Sequence, residues 1–118
     1  MATQSDSSQV LKGLLDALVL QALSERDSYG FEIHQTITQR LEDQAALFRE
    51  STLYPLLHRL EAKGCVEPYW KPGNRGTDRK YYRITQAGRD YLKERVADWL
   101  KVSRILNTTF FDKKGAGK

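Results

Sequence analysis

The thirteen residues Ser51 to Lys63 carry the densest set of side chains able to grip a polyanion. On a helical wheel at roughly 100° per residue, Leu53, Leu56, Leu57 and Leu60 fall together. Ser51, Pro55, His58, Arg59 and Ala62 fall opposite, flanked by Thr52, Tyr54 and Lys63. Such a helix has one face for a core and one for a ligand. Small exposed side chains allow close approach, and a DNA major groove about 12 Å wide admits one helix. Arg59 is placed to reach a guanine edge or a phosphate. Thr52 and Tyr54, near the helix start, suit phosphate oxygens.

A second basic region follows. Between Lys71 and Arg89 there are six cations, Lys71, Arg75, Arg79, Lys80, Arg83 and Arg89, against the single acid Asp78, a net of +5. They surround Pro72, Gly73, Asn74 and Gly76, a turn-forming cluster between two runs rich in Val, Ile, Tyr and Trp. Positive charge on a hairpin can track a phosphate backbone and release its counterions. Lys71, Asn74, Arg75, Arg79 and Lys80 are the expected contacts of this wing.

Other chemistry has no foothold. The sequence contains no G-x-S-x-G, H-E-x-x-H or G-x-x-x-x-G-K-S/T motif, so no catalytic residue is assigned and the chain does not read as an enzyme. His34 and His58 stand 24 positions apart with no neighbouring ligand cluster, and Cys65 is the single cysteine. Neither a metal, a cofactor nor an internal disulfide is expected. Asp16, Glu25 and Glu32 read as acids on exposed helix faces.

The elements that must position the two basic surfaces follow from periodicity. Met1 to Gln9 is polar and Ser-rich, an expected flexible N-terminus. Leu11, Leu14, Leu15, Leu18, Val19, Ala22 and Leu23 make a helical stripe from Val10 to about Ser24. Asp27 or Ser28 can cap a second helix that buries Phe31, Ile33, Ile37 and Leu41. Residues 42–49 read as a connection with a short extra turn. The Ser51–Lys63 helix tolerates Pro55 only in or near its first turn, and Gly64 ends it. Cys65–Lys71 and Arg79–Ile84 pair as a hairpin, with Pro68 marking an open edge. One of Tyr81 and Tyr82 should face the core. Thr85 caps a final helix from Gln86 to about Phe110. The fold class is α+β, mostly α: a winged helix-turn-helix domain over residues 10–85, a long C-terminal helix over 86–110, and flexible ends at 1–9 and 111–118.

The last helix is longer than so small a domain can cover. Leu92, Val96, Trp99, Ser103, Leu106 and Phe110 recur with heptad-like spacing. A partner helix is the simplest cover. Homodimer contacts are therefore expected at these six positions together with Leu11 and Leu15, and two-fold pairing suits a palindromic site.

The bulk figures agree. In 118 residues, 40% hydrophobic and 29% charged, there is room for one domain and no signature of disorder. A formal charge of +4 admits polyanionic partners. No secretory leader or membrane-spanning stretch is evident, which gives a cytoplasmic expectation with no membrane partner.

Three segments resemble one family. Ser51-Thr-Leu-Tyr-Pro-Leu-Leu-His-Arg-Leu-Glu-Ala-Lys-Gly64 is similar to the third helix of PadR-family transcriptional regulators. Arg79-Lys-Tyr-Tyr-Arg-Ile-Thr-Gln-Ala-Gly88 resembles their wing strand and last helix. Ser28-Tyr-Gly-Phe-Glu-Ile33 resembles the start of their second helix. The resemblance covers about Leu11 to Leu106 and points to the short subfamily with one C-terminal helix. It implies a repressor that binds a palindromic double-stranded operator as a homodimer, with Tyr54 at a DNA-contacting position. It further implies release by a small hydrophobic or aromatic effector held between the long helices, against Trp99 with Leu15 and Val96. Two other readings stay open on the residues alone: a repressor with no small-molecule site, and a winged-helix module that docks on protein.

Overall fold

The structure, a computed structural model, describes residues 3–73 and 76–111, with side chains from Leu14 onward. Helix α1 spans Thr3–Glu25, strand β1 Ser28–Tyr29, helix α2 Gly30–Leu41, a 3-10 helix Glu42–Leu47, and helix α3 Glu50–Ala62. Strands β2 (Val66–Pro72) and β3 (Asp78–Ile84) follow. Helix α4 (Gln86–Leu106) then passes into a π-helical turn, Asn107–Phe111. This is a mostly helical α+β chain with the order of a winged helix. α1 begins at Thr3 rather than Val10, since the polar run before Val10 holds no Pro or Gly to stop a helix.

The core is built where the wheel places leucine. Leu53, Leu56, Leu57 and Leu60 of α3 are buried together with Leu15, Val19, Leu20 and Leu23 of α1 and Ile33 and Ile37 of α2. Phe48 closes the cluster. His34 stacks on its ring with centroids 5.2 Å apart, and His34 Nε2 lies 2.9 Å from the Phe48 carbonyl, which ties the 3-10 segment to α2. Phe31 departs from expectation and is 54% exposed. It lies two residues before Ile33, roughly 200° around the helix, and so faces solvent.

Ends and turns are set by local chemistry. α3 stops as expected at Gly64, whose φ of 76° suits glycine. The Gly64 N–H reaches the Glu61 carbonyl at 2.9 Å and the Cys65 N–H reaches the Leu60 carbonyl at 2.8 Å, the paired bonds of a Schellman ending. Thr85 caps α4 as expected, accepting from the Gly88 N–H at 3.0 Å, and donates its hydroxyl to the Gly64 carbonyl at 2.6 Å. Two other expectations are corrected. Tyr29, not Asp27 or Ser28, precedes α2, and its N–H is accepted by the Glu32 carboxylate at 3.3 Å. Ser28 is instead drawn into β1, while Asp27 accepts the Tyr69 hydroxyl at 2.6 Å. Pro55 lies inside α3, in its second turn, because the helix begins at Glu50, one residue before the expected start. The bond it forfeits is to the carbonyl of Ser51, a residue exposed to water that can replace it.

The sheet is antiparallel in the order β1-β3-β2. Pro68 does sit on an edge strand. In register, Val66 faces Ile84, Pro68 faces Tyr82 and Trp70 faces Lys80, whereas Tyr69 faces Tyr81 and Lys71 faces Arg79. Val66, Tyr82 and Ile84 are buried, so their face lies against the helices, and Tyr81 turns to the other side. The two-residue β1 adds Tyr29 beside Tyr81.

α4 leaves this core behind. Tyr91 and Leu92 pack on it, but from Leu100 to Phe111 every residue is exposed. The radius of gyration is 17.1 Å, against about 13.5 Å for a compact chain of this length. Leu15 cannot serve the projecting helix as a partner surface, because it is 3% exposed within the chain's own core. The Leu11 side chain lies outside those described.

Candidate nucleic-acid interface

The exposed sector of α3 divides into two flanks. Tyr54 and His58 look toward the sheet and line a cleft of about 330 Å³ with Tyr29, Gly30, Arg79, Lys80 and Tyr82. Arg59 and Lys63, lying over 100° further round the wheel from Tyr54, look toward α1 and α4. Ser51, Pro55 and Ala62 form an exposed ridge between the flanks, and Thr52 is half-buried on the Arg59 side.

Cleft geometry depends on Gly30 and on the register of the hairpin. A Cβ on Gly30 would stand 2.5 Å from Tyr54 Oη and 2.9 Å from its Cε1, so the tyrosine approaches a backbone that has no side chain more closely than any other residue there would allow. Two cations meet it from the sheet, each over an aromatic face. The Arg79 guanidinium carbon lies 4.6 Å from the Tyr29 ring centroid, and Lys80 Nζ lies 5.6 Å from that of Tyr82. Burial pushes the Tyr82 phenol up, so it remains a neutral hydroxyl. Tyrosine hydroxyls, a histidine and two cations on one concave surface form a set of hydrogen-bond donors suited to phosphate oxygens.

On the other flank, Arg59 and Lys63 are exposed but engaged by neighbouring helices. Arg59 Nη2 is paired with Asp16 Oδ1 of α1 at 3.1 Å. Lys63 Nζ reaches Tyr91 Oη of α4 at 3.5 Å and lies 5.1 Å from that ring's centroid. Asp16, expected on an exposed face, has a side chain only 13% exposed. It stands one turn before the buried Val19 and Leu20, where α3 and α4 close over it. The fork of Arg59 is thus turned away from the cleft side.

The outer face of the hairpin is a row of rings and cations. Tyr29, Tyr81 and Tyr69 run across β1, β3 and β2 with centroid spacings of 5.4 and 5.8 Å. Lys71 lies over Tyr81 at 4.6 Å, and Arg83 over Tyr69 at 5.1 Å while paired with Glu67. The wing residues Asn74 and Arg75 lie outside the described residues. Sequence reasoning missed Tyr29, Gly30 and Tyr82 in the cleft, and it missed Trp70, a 64% exposed indole on the helix-facing side of the hairpin opposite Lys80. The alternation of the strands carries the signal for Trp70 and Tyr82, but a two-residue strand has no period to reveal Tyr29.

On α4 and the π-helical turn that follows it, Val96 (45%), Leu106 (46%) and Phe110 (64%) are exposed, Ser103 is exposed and Trp99 is half-buried. Leu92 is half-buried against the chain's own core. Leu100, Val102, Ile105 and Phe111 add exposed apolar surface that the heptad count omits. An open hollow of about 450 Å³ on this helix is lined by Leu100, Ser103, Arg104, Asn107, Thr108 and Phe111, not by Trp99, Val96 or Leu15. Among the described residues no helix is long and apolar enough to cross a membrane, and no cluster of three potential metal ligands occurs.

Residues 19–94 match the family model for the transcriptional regulator PadR-like family. A protein of Lysinibacillus sphaericus, itself uncharacterized, is 40% identical over 100 residues, which is 85% of this chain and 91% of that one. Among solved structures, a transcriptional regulator from Clostridium thermocellum superposes with a TM-score of 0.77 at 35% identity, over 88% of this chain and 99% of the other. A PadR-like transcriptional regulator from Bacillus cereus gives 0.76 at 31% identity, over 87% and 97%.

Proposed function

Because the chain belongs to the PadR-like family of transcriptional regulators, and is thus a DNA-binding regulator, we propose that it is a repressor that grips a palindromic operator as a homodimer. The observation that carries the reading is the shared cleft: Tyr54 and His58 of α3 meet Arg79 and Lys80 of the hairpin on one surface. α3 enters the major groove along the ridge of Ser51, Pro55 and Ala62. The cleft takes the phosphates beside it, and Lys71, with Asn74 and Arg75, extends the contact along the backbone. Thr52 lies at the near end of the helix.

Pairing through α4 supplies the two-fold axis. The projecting helix presents Val96, Leu100, Ile105, Leu106 and Phe110 to water, a cost that a partner helix removes at roughly 25 cal/mol per Å² of apolar surface covered. Leu92, Trp99 and Ser103 continue the seam toward the domain. The small hydrophobic effector belongs between the paired helices, with Trp99 and Val96 as its contacts and without Leu15, which the core has taken.

Selection of bound sequences from a pool of random duplexes tests the proposal. A two-fold motif, with affinity falling steeply as salt rises, is expected. Failure to enrich any sequence, with a protein captured through the α3 face instead, would move the reading to a protein-docking module.

A further inference from the structure

Asp16 stands where three helices meet. One carboxylate oxygen takes Arg59 Nη2 of α3 at 3.1 Å, and the other takes Tyr91 Oη of α4, also at 3.1 Å. The partners lie 43 and 75 residues away in sequence, so only the folded chain assembles the cluster. The Tyr91 ring is bracketed by cations, Lys63 Nζ at 5.1 Å from its centroid and the Arg95 guanidinium carbon at 5.4 Å. With the Asp16 side chain 13% exposed and that of Arg59 55% exposed, the pair is anchored at the acid and open at the base. Little water competes for the carboxylate, so its pull on the guanidinium is stronger than in an open surface pair.

We infer that Asp16 is a positioning residue for Arg59: it holds the guanidinium against α1 and withholds one cation per protomer from the α3 surface that meets DNA. The inference rests on the DNA reading above and goes beyond it, because it assigns a role to a side chain that touches no nucleic acid. Arg59 lies within one turn of Pro55 and Ala62 on α3, so a guanidinium freed from Asp16 has the phosphates flanking that ridge within its swing. Tyr91 shares the carboxylate, which makes the hold depend on where α4 lies. A shift of the long helix that withdraws the phenol also frees the carboxylate to turn. The dimerisation helix and the recognition helix thereby share one acid, a direct physical link between pairing and the charge offered to DNA.

Asp16→Asn tests this in the full-length dimer. The amide keeps an oxygen for Tyr91 Oη and removes the charge that holds Arg59. Affinity for a duplex enriched from a random pool is measured by fluorescence anisotropy between low and physiological salt, for wild type, Asp16→Asn, Arg59→Ala and the double variant. The expected result is binding tighter by roughly tenfold at low salt, with the plot of log K against log salt steeper by about 0.9 for each phosphate newly neutralised. In the Arg59→Ala background the gain should vanish. A merely structural role for Asp16 would not steepen the salt dependence. A gain that persists without Arg59, or an unchanged slope, overturns the inference and leaves the DNA reading intact. A wild-type protein that binds no duplex overturns both. Should the amide variant fail to fold in a thermal melt, Asp16→Ser is carried through the same four-way comparison.

Discussion

Gly30→Ala separates the cleft from the stability of the fold. The added methyl would stand 2.5 Å from Tyr54 Oη and 2.9 and 3.0 Å from two ring carbons. Non-bonded heavy atoms settle at about 3.5 Å or beyond, so the ring must retreat by roughly 1 Å. It has room to do so, being 46% exposed. Two stability terms oppose each other: alanine is favoured over glycine in a helix by up to about 1 kcal/mol, and the displaced ring loses packing of similar size. The melting temperature should therefore move little. DNA binding should not be spared. A tyrosine hydroxyl donating to a phosphate is worth about 1.5 kcal/mol, near tenfold, and a dimer loses it at both half-sites, near a hundredfold. Anisotropy titration with the enriched duplex reads the loss, and Tyr54→Phe, which keeps the ring in place, should reproduce most of it. A Gly30→Ala protein that melts normally and binds as well as wild type would refute the assignment of Tyr54 to the phosphate contact.

Lys80→Ala should weaken binding to all duplexes alike and flatten the salt dependence by about 0.9 per protomer, measured from the slope of log K against log salt. Trp70 should sense the bound duplex: in a Trp99→Phe background, its fluorescence should quench or shift on adding DNA, and an unchanged spectrum at saturating duplex would remove it from the interface. Leu100→Glu should place a charge in the paired seam and convert the dimer to monomer in sedimentation velocity. Alkaline pH should erode stability. Tyr69 is raised first by donating to Asp27, and burial raises Tyr82 and Cys65, so the native state holds protons that the unfolded chain gives up sooner. Their contribution is whole below the ordinary thiol and phenol range and declines as pH climbs through and above it, and Tyr69→Phe should flatten part of that decline in denaturant titrations.

The fold was legible wherever burial and period agree. The four leucines of α3, the glycine that ends it, the edge proline and the threonine cap are each specified by a local rule, and each stands where the rule puts it. The site was legible only in part, for a geometric reason. A helical wheel distinguishes inward from outward, but it does not say which neighbour waits on each side of the outward sector. Arg59 and Tyr54 both read as exposed on the wheel. Yet Asp16 and Tyr91 claim the arginine, while Gly30 claims the tyrosine. The acid lies 43 residues from the arginine, and no pattern within α3 could announce it. Leu15 failed in the same way, because a stripe of leucines gives no sign of which member faces its own protomer and which a partner.

The placement of charge on rings explains how a short hairpin can hold so many cations close together. Repulsion among Lys71, Arg79, Lys80 and Arg83 would splay flexible side chains outward, and docking on a phosphate row would then cost their rotamer entropy. Tyr81, Tyr29, Tyr82 and Tyr69 each take one of these cations on a ring face, at 4.6 to 5.6 Å. The ring quadrupole offsets part of the repulsion and fixes the stems in place before any ligand arrives. Replacing these tyrosines by leucine would keep the apolar surface and lose the quadrupole, so Tyr29→Leu should weaken DNA binding even though no cation has been removed. An affinity unchanged at low salt, where cation–phosphate contacts weigh most, would show that the rings only pack.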